Sequence, residues 1–228
     1  TEAIFRGSST DYNGSNWGTS KTFGPKVNGL VEHDNIIHHP TANYVKFYGM
    51  ENGLPLNDPN SGYDPNHPFK GRDPRFYHDI VFDGFKYVNS TMPADQEFMR
   101  YTQLSTNGIM RNDQNGSRTG YFIQKLVPHT ANKYDAAYNW SGSLHVYLPY
   151  MRLGDIYLMY AEACAAFGGA KAKSTNFDKD AEGALNTLRD RVGAGHVSAT
   201  YTADNNKFMD EVRRERAVEL SFEGFRFN

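Results

Sequence analysis

The chain has 228 residues, enough for one large domain or two small ones, with 24 Lys and Arg against 26 Asp and Glu. A net charge of -2 gives no basic field for nucleic acid and no acidic tail, and no apolar run reaches the length of a membrane span. Aromatic residues make up 14% although the mean hydropathy is only -0.68, a pairing that keeps some rings near the surface, where they can meet ligands.

Residues 2–6 read as a short strand. Residues 7–26 form a loop of Ser, Gly, Asn and Thr that carries Tyr12, Trp17 and Phe23 and has no core of its own. Trp17 either plugs back into the body or faces a ligand. His33, His38 and His39 lie at spacings of five and one with Pro40 after them, which is not the helical spacing of metal ligands, and no metal is expected. Pro40 and Thr41 open a short helix with Ala42, Val45 and Tyr48 on one face, ended by Gly53 and Pro55. Asp58, Asn60, Gly62 and Asp64 imitate the start of a calcium loop. Phe69 stands where the bidentate Glu is needed, so Asx turns explain these residues better. Residues 72–75 predict a tight turn closed by an Arg–carboxylate pair.

Asp83-Gly84, between FYHDIVF and FKYV, predicts a hairpin with a type I′ turn over 76–88. Residues 120–127 predict another strand. Residues 133–143 form a second aromatic loop, with Tyr134, Tyr138 and Trp140. Cys164 is the single cysteine; it forms no internal disulfide and reads as a structural thiol inside a helix.

From Tyr150 onward the pattern becomes helical. Leu153, Tyr157, Tyr160, Ala161 and Cys164 predict one apolar stripe, stopped by Gly168 and Gly169. A second helix starts near Asp178 or Asp180, buries Ala181, Ala184, Leu185, Leu188 and Val192, and ends at Gly193. A third starts after Asp204 and Asn205 and buries Phe208, Val212, Ala217, Leu220 and Phe222. Its Glu211, Glu215, Glu219 and Glu223 recur every four residues, an unfavourable like-charge row if unpaired. A solvated face is one reading. The sharper expectation turns Glu215 and Glu219 inward, onto Arg152 or Arg189. Tyr150, Leu153, Gly154 and Tyr157, with Ala184 and Leu188, match the two halves of a tetratricopeptide repeat, in which small Gly154 and Ala184 let the helices approach. One such pair needs stacked neighbours. With Thr1 at the start and no tail signal at the end, the chain is expected to be an excerpt.

In order along the chain, Glu2-Ala3-Ile4-Phe5, Tyr63-Asp64-Pro65-Asn66-His67-Pro68-Phe69, Arg72-Asp73-Pro74-Arg75-Phe76, Arg152-Leu153-Gly154-Asp155-Ile156-Tyr157, Leu188-Arg189-Asp190-Arg191, Arg213-Arg214-Glu215-Arg216-Ala217-Val218-Glu219-Leu220 and Phe222-Glu223-Gly224-Phe225-Arg226 resemble the SusD/RagB family. The resemblance implies a mostly α fold of tetratricopeptide-like helix pairs, a SusD-like superhelix incomplete here, with irregular loops and short β hairpins. It implies a loop-rich recognition region over 1–149 and a helical scaffold over 150–228. It also implies binding of oligosaccharide or polysaccharide at the outer-membrane surface of Bacteroidetes-type bacteria, a SusC-like TonB-dependent transporter as partner, and a lipid anchor outside this chain. No family motif names the ligand contacts. A sugar stacks its C–H face on a ring and offers hydroxyls to amides. Trp17 with Tyr12, Asn13 and Asn16 fits that recipe, and so does Trp140 with Tyr138 and Asn139, while core anchoring stays open for each Trp. No cofactor and no nucleic acid is expected. A glycoside hydrolase would need a carboxylate constellation that the sequence does not display, and a helical-repeat adaptor would leave the aromatic loops unexplained.

Overall fold

The computed structural model describes residues 2–7, 10–12, 39–111, 116–125, 134–135, 144–146 and 149–225. The chain divides into two compact units, one of residues 1–7, 46–76 and 148–228, the other of residues 8–45 and 77–147.

The helices of the first unit begin and end where their caps dictate. Helix α3 (Leu153–Gly168) stops at Gly169, whose φ of 83° no other side chain adopts comfortably. Helix α4 (Ala181–Val192) starts at Asp180, whose carboxylate accepts from Gly183 N at 2.7 Å, and ends at Gly193 in the left-handed region. Helix α5 (Ala199–Thr202) is one turn that the sequence pattern did not announce. Helix α6 (Asn205–Glu219) is capped by Asp204, which accepts from Asn206 N and Lys207 N at 2.9 and 3.0 Å. Leu158, Ala161 and Ala165 of α3, Ala181, Ala184, Leu185 and Leu188 of α4, and Phe208 and Val212 of α6 meet in one core, joined by Leu220. Truncating Leu185 there removes about 2–5 kcal/mol.

Several expectations shift in detail, and Val192 and Phe222, expected to be buried, are only half-buried. The buried stripe of α3 runs through Leu158, Ala161 and Ala165. Leu153 is exposed, and Tyr157, Tyr160 and Cys164 pack at the core's margin, because Phe177 turns toward the two tyrosine rings from the α3–α4 connection. Gly154 is buried for a different reason than helix contact: a Cβ there would press on Arg152 Nη1 at 2.8 Å and on carboxylate oxygens of Glu2 and Glu219 at 3.1 Å. Its small size makes room for charge.

That charge is a buried lattice. Glu215 and Glu219 turn inward as expected. Arg189 Nε donates to Glu215 at 2.8 Å and its Nη2 to Glu211 at 2.9 Å, while Arg75 Nη1 bonds Glu215 and, at 3.0 Å, Glu219. Arg152 reaches Glu219 at 2.6 Å, Glu2 at 2.7 Å and Glu223 at 2.8 Å. Burial pushes the Glu215 carboxyl up, but Arg75 and Arg189 outweigh it and hold the group down at about 2.

Residues 46–76 fold against this lattice. Of the tight turn expected at 72–75 the Arg–carboxylate pair is present, Arg75 forking onto Asp73 at 3.0 and 2.8 Å, but Pro74 and Arg75 open a helix instead of closing a turn. The Asx turns are present too, Asp58 accepting from Asn60 N and Asp64 from Asn66 N, each at 2.8 Å. Gly53 lies at φ 86° against the backbone of Gly195 and offers its carbonyl to Arg214 at 2.7 Å. A strand, β1 (Ala3–Arg6), pairs antiparallel with β6 (Pro149–Arg152) at the entrance to α3.

The second unit contains α1 (Ala42–Val45), shorter than the helix expected to run toward Gly53; of the predicted face Val45 is buried, Ala42 is exposed, and Tyr48 is buried but lies beyond the helix. The hairpin expected over 76–88 is overturned. Pro74–Asp79 forms helix α2, because Pro74 sits at a favoured first helical position and Asp73 accepts from Arg75 N. The strand that follows, β3 (Ile80–Val81), pairs with β4 (Phe122–Ile123), which is all the described part of the strand expected at 120–127 shows. Asp83-Gly84 does turn, with Gly84 at φ 79°, but the Asp83 carboxylate accepts from Leu104 N and Ser105 N at 2.6 and 2.9 Å. Residues 85–88 are thereby drawn toward 100–102, with Lys86 opposite Tyr101. Val81, Tyr87, Val88, Met99, Leu104, Met110 and Phe122 form the core.

Candidate ligand-binding region

The ligand residues inferred from sequence adjoin, in sequence, a short ladder of the second unit. Strand β2 (Thr10–Tyr12) pairs antiparallel with β5 (Leu144–Val146), and Tyr12 stands opposite Leu144. The chain toward Asn13 and Trp17 therefore continues from the same end of the ladder at which the chain from Tyr138, Asn139 and Trp140 arrives. Within the stretch first read as loop, residues 10–12 are thus strand. Asn13, Asn16, Trp17, Tyr138, Asn139 and Trp140 lie outside the described residues, as do His33 and His38.

The second loop is anchored at its start. Asp135, 5% exposed, accepts from Asn89 N at 3.2 Å and from Ser90 N and Ser90 Oγ at 2.8 and 2.6 Å. Arg100 grips the other side of that turn, donating to Val88 O at 3.1 Å and Ser90 O at 2.9 Å. Tyr134 lies against the core, so that ring serves packing. Burial, and then the negative charge of Asp135, push the Tyr87 hydroxyl upward and keep it protonated. Sequence reasoning missed Asp135. The available signal was its isolation, as the single charged side chain between Lys133 and His145.

Phe98, Tyr101 and Ile109 hold half or more of their surface open, and Gln103 Nε2 donates to Phe98 O at 2.8 Å between them in sequence. Tyr101 and Gln103 alternate with buried Thr102 and Leu104, a period that the sequence does not announce, since the aromatic residue faces out and the hydroxyl residue in. Among the described residues no group of three or more His, Cys, Asp or Glu side chains could hold a metal ion, and no helix is long and apolar enough to cross a membrane. The buried carboxylates Glu211, Glu215 and Glu219 are occupied by guanidinium groups.

A SusD family model matches residues 1–228. No curated protein sequence matches. Among solved structures, the protein BT4246 is 26% identical with a TM-score of 0.68, over 99% of this chain and 38% of its own length. A SusD-like protein of Bacteroides fragilis is 23% identical, TM-score 0.65, covering 97% of this chain and 41% of the other. A second B. fragilis protein, described as a SusD-like carbohydrate binding protein, is 22% identical, TM-score 0.59, covering 99% and 40%. The chain thus spans about two fifths of the length of these relatives, and its helices follow their tetratricopeptide-like fold. With the family model matched from end to end and the helical architecture shared, the chain belongs to the SusD family.

Proposed function

We propose that the protein is a non-catalytic surface receptor for glycans. It captures oligosaccharide or polysaccharide and passes it to a TonB-dependent outer-membrane transporter of the SusC type, held at the membrane by a lipid anchor. The reading is carried by one observation: the β2–β5 ladder brings together the strand ends that adjoin two aromatic, amide-rich stretches of sequence, and Asp135 is tied down at the start of one. Rings and amides on such loops meet the C–H faces and hydroxyls of sugars. The resemblance to a protein described as carbohydrate binding supports the same class of ligand. Residues 1–149 would supply recognition and 150–228 the scaffold. Affinity electrophoresis through polysaccharide gels tests this. Trp17→Ala and Trp140→Ala should each weaken retardation about tenfold, as expected for losing a central ring contact. A folded variant that binds as the parent does removes its Trp from the site.

A second reading, a helical adaptor for another protein, is favoured by the open row Leu153, Ile156, Met159 and Phe167 along α3, with Phe167 90% exposed. Retardation by glycans decides for the receptor. Reducing-end release from the same polysaccharides would instead indicate a hydrolase.

A further inference from the structure

Away from the two aromatic loops, residues 50–71 enclose an open cleft of about 370 Å³, a volume at the small end of ligand sites. Its walls are fixed. Glu51 N donates to Gly71 O at 2.9 Å, Asn52 Nδ2 to Ser61 O at 3.1 Å, and the Arg72 guanidinium to Pro68 O at 2.8 Å and Tyr48 O at 2.6 Å while lying 4.5 Å over the Phe76 ring. Three groups on these walls have capacity to spare. Among the described residues the Glu51 carboxylate and the Lys70 ammonium have no hydrogen-bond or ion-pair partner, although both line the cleft. His67 bonds Asp64 through Nδ1 at 2.7 Å, which leaves Nε2 without a partner among the described residues. The bond from His67, then the Asn66 N–H, hold the Asp64 carboxyl below its ordinary range, so it stays ionised.

This donor and acceptor set selects against simple ions. An anion attracted by Lys70 meets the Glu51 and Asp64 charges, and a cation finds Lys70 beside those carboxylates. A neutral polyol suffers neither repulsion, because each hydroxyl both donates and accepts: it donates to Glu51, accepts from Lys70 and meets His67 Nε2 in whichever role that nitrogen takes. The Met50 side chain and the backbone at Gly62 and Gly71 complete the lining without bulk. We propose that this cleft is a second saccharide subsite, separate from the aromatic loops, which recognises the hydroxyls of one neutral sugar unit through Glu51, His67 and Lys70. The inference rests on the glycan-receptor reading and extends it to a defined set of polar contacts. The fixed walls mean that little ordering accompanies binding.

The test uses the intact protein and three soluble probes, an α-1,4-glucan, a β-1,3-glucan and a β-mannan, in affinity gels and titration calorimetry. Glu51→Gln and Lys70→Met each remove a charged hydrogen-bonding group from an exposed position and should unfold at the parent's midpoint. Each is expected to weaken binding of the retained glycan about tenfold, and Lys173→Met, on the α3–α4 connection, should leave it unchanged. If the double variant Glu51→Gln/Lys70→Met binds as the parent does while Trp17→Ala or Trp140→Ala does not, the cleft is no subsite and the receptor reading stands. If the parent retains none of the probes, both fall.

Discussion

The helical core and the core around Phe122 solve the same packing problem by different means. The first is built from Ala, Leu and aromatic side chains repeating along three helices, backed by five arginines, Arg75, Arg152, Arg189, Arg191 and Arg214, threaded among buried glutamates. The second draws Val, Met, Tyr and Phe from turns and two-residue strands, and single polar side chains tie those turns to backbone: Asp83 to 104–105, Thr102 to Phe82, Ser117 to Tyr121, Asp135 to 89–90. In a helix the backbone satisfies itself and side chains are free to pack or pair. In irregular chain each carbonyl and N–H needs its own partner, so one carboxylate can hold an entire turn.

The contrast can be broken most forcefully at Glu215. Replacing it with Ala removes the buried carboxylate that Arg189 and Arg75 share and leaves Glu211 to pair Arg189, and Asp73 and Glu219 to pair Arg75; about 3 kcal/mol should be lost in urea denaturation. An unchanged midpoint would mean the lattice contributes nothing net. Acid probes the same group without mutation. Its carboxyl lies at about 2 in the folded protein against an ordinary 4.5, so the folded state binds fewer protons. The associated stability, on the order of 3 kcal/mol, is fully present above pH 4.5 and drains away as pH falls toward 2. Circular dichroism of the helices across that range reads it out.

Asp135→Asn sharpens the other side. The amide keeps the shape but weakens three charge-assisted acceptances, at about 1–3 kcal/mol. Amide exchange at Asn89 and Ser90 should accelerate while that of α3 and α4 stays put, and equal acceleration in both would show the two cores unfold together. The smallest effect is expected at Asp180→Ala, which removes one N-cap bond and should lower stability by about 1 kcal/mol, with fraying confined to the first turn of α4.

The helices were legible because their information is local. The 3.6-residue repeat, Asp180 and Asp204 before the runs, and Gly169 and Gly193 after them mark α3, α4 and α6 within a residue or two. Even the inward turn of Glu215 and Glu219 could be read, since a like-charge row every four residues needs cations. The region before Tyr150 was harder. FYHDIVF has the composition of a strand, yet Asp73-Pro74 starts a helix there, and Asp83 uses its carboxylate on a segment twenty residues away. Of the candidate site, the aromatic loops were named from composition, whereas the Tyr12–Leu144 pairing and the Asp135 anchor have no local signature.

By itself the sequence determined the three long helices, the inward turn of Glu215 and Glu219 and the family the chain resembles, because periodicity, caps and breakers act within a few residues of one another. Tertiary structure alone decided the partner of each strand, the room that Gly154 leaves for charge, and the meeting of Glu51, His67 and Lys70 around one cleft. Those outcomes depend on distant groups arriving at one place, where hydrogen bonds and ion pairs must all be satisfied together.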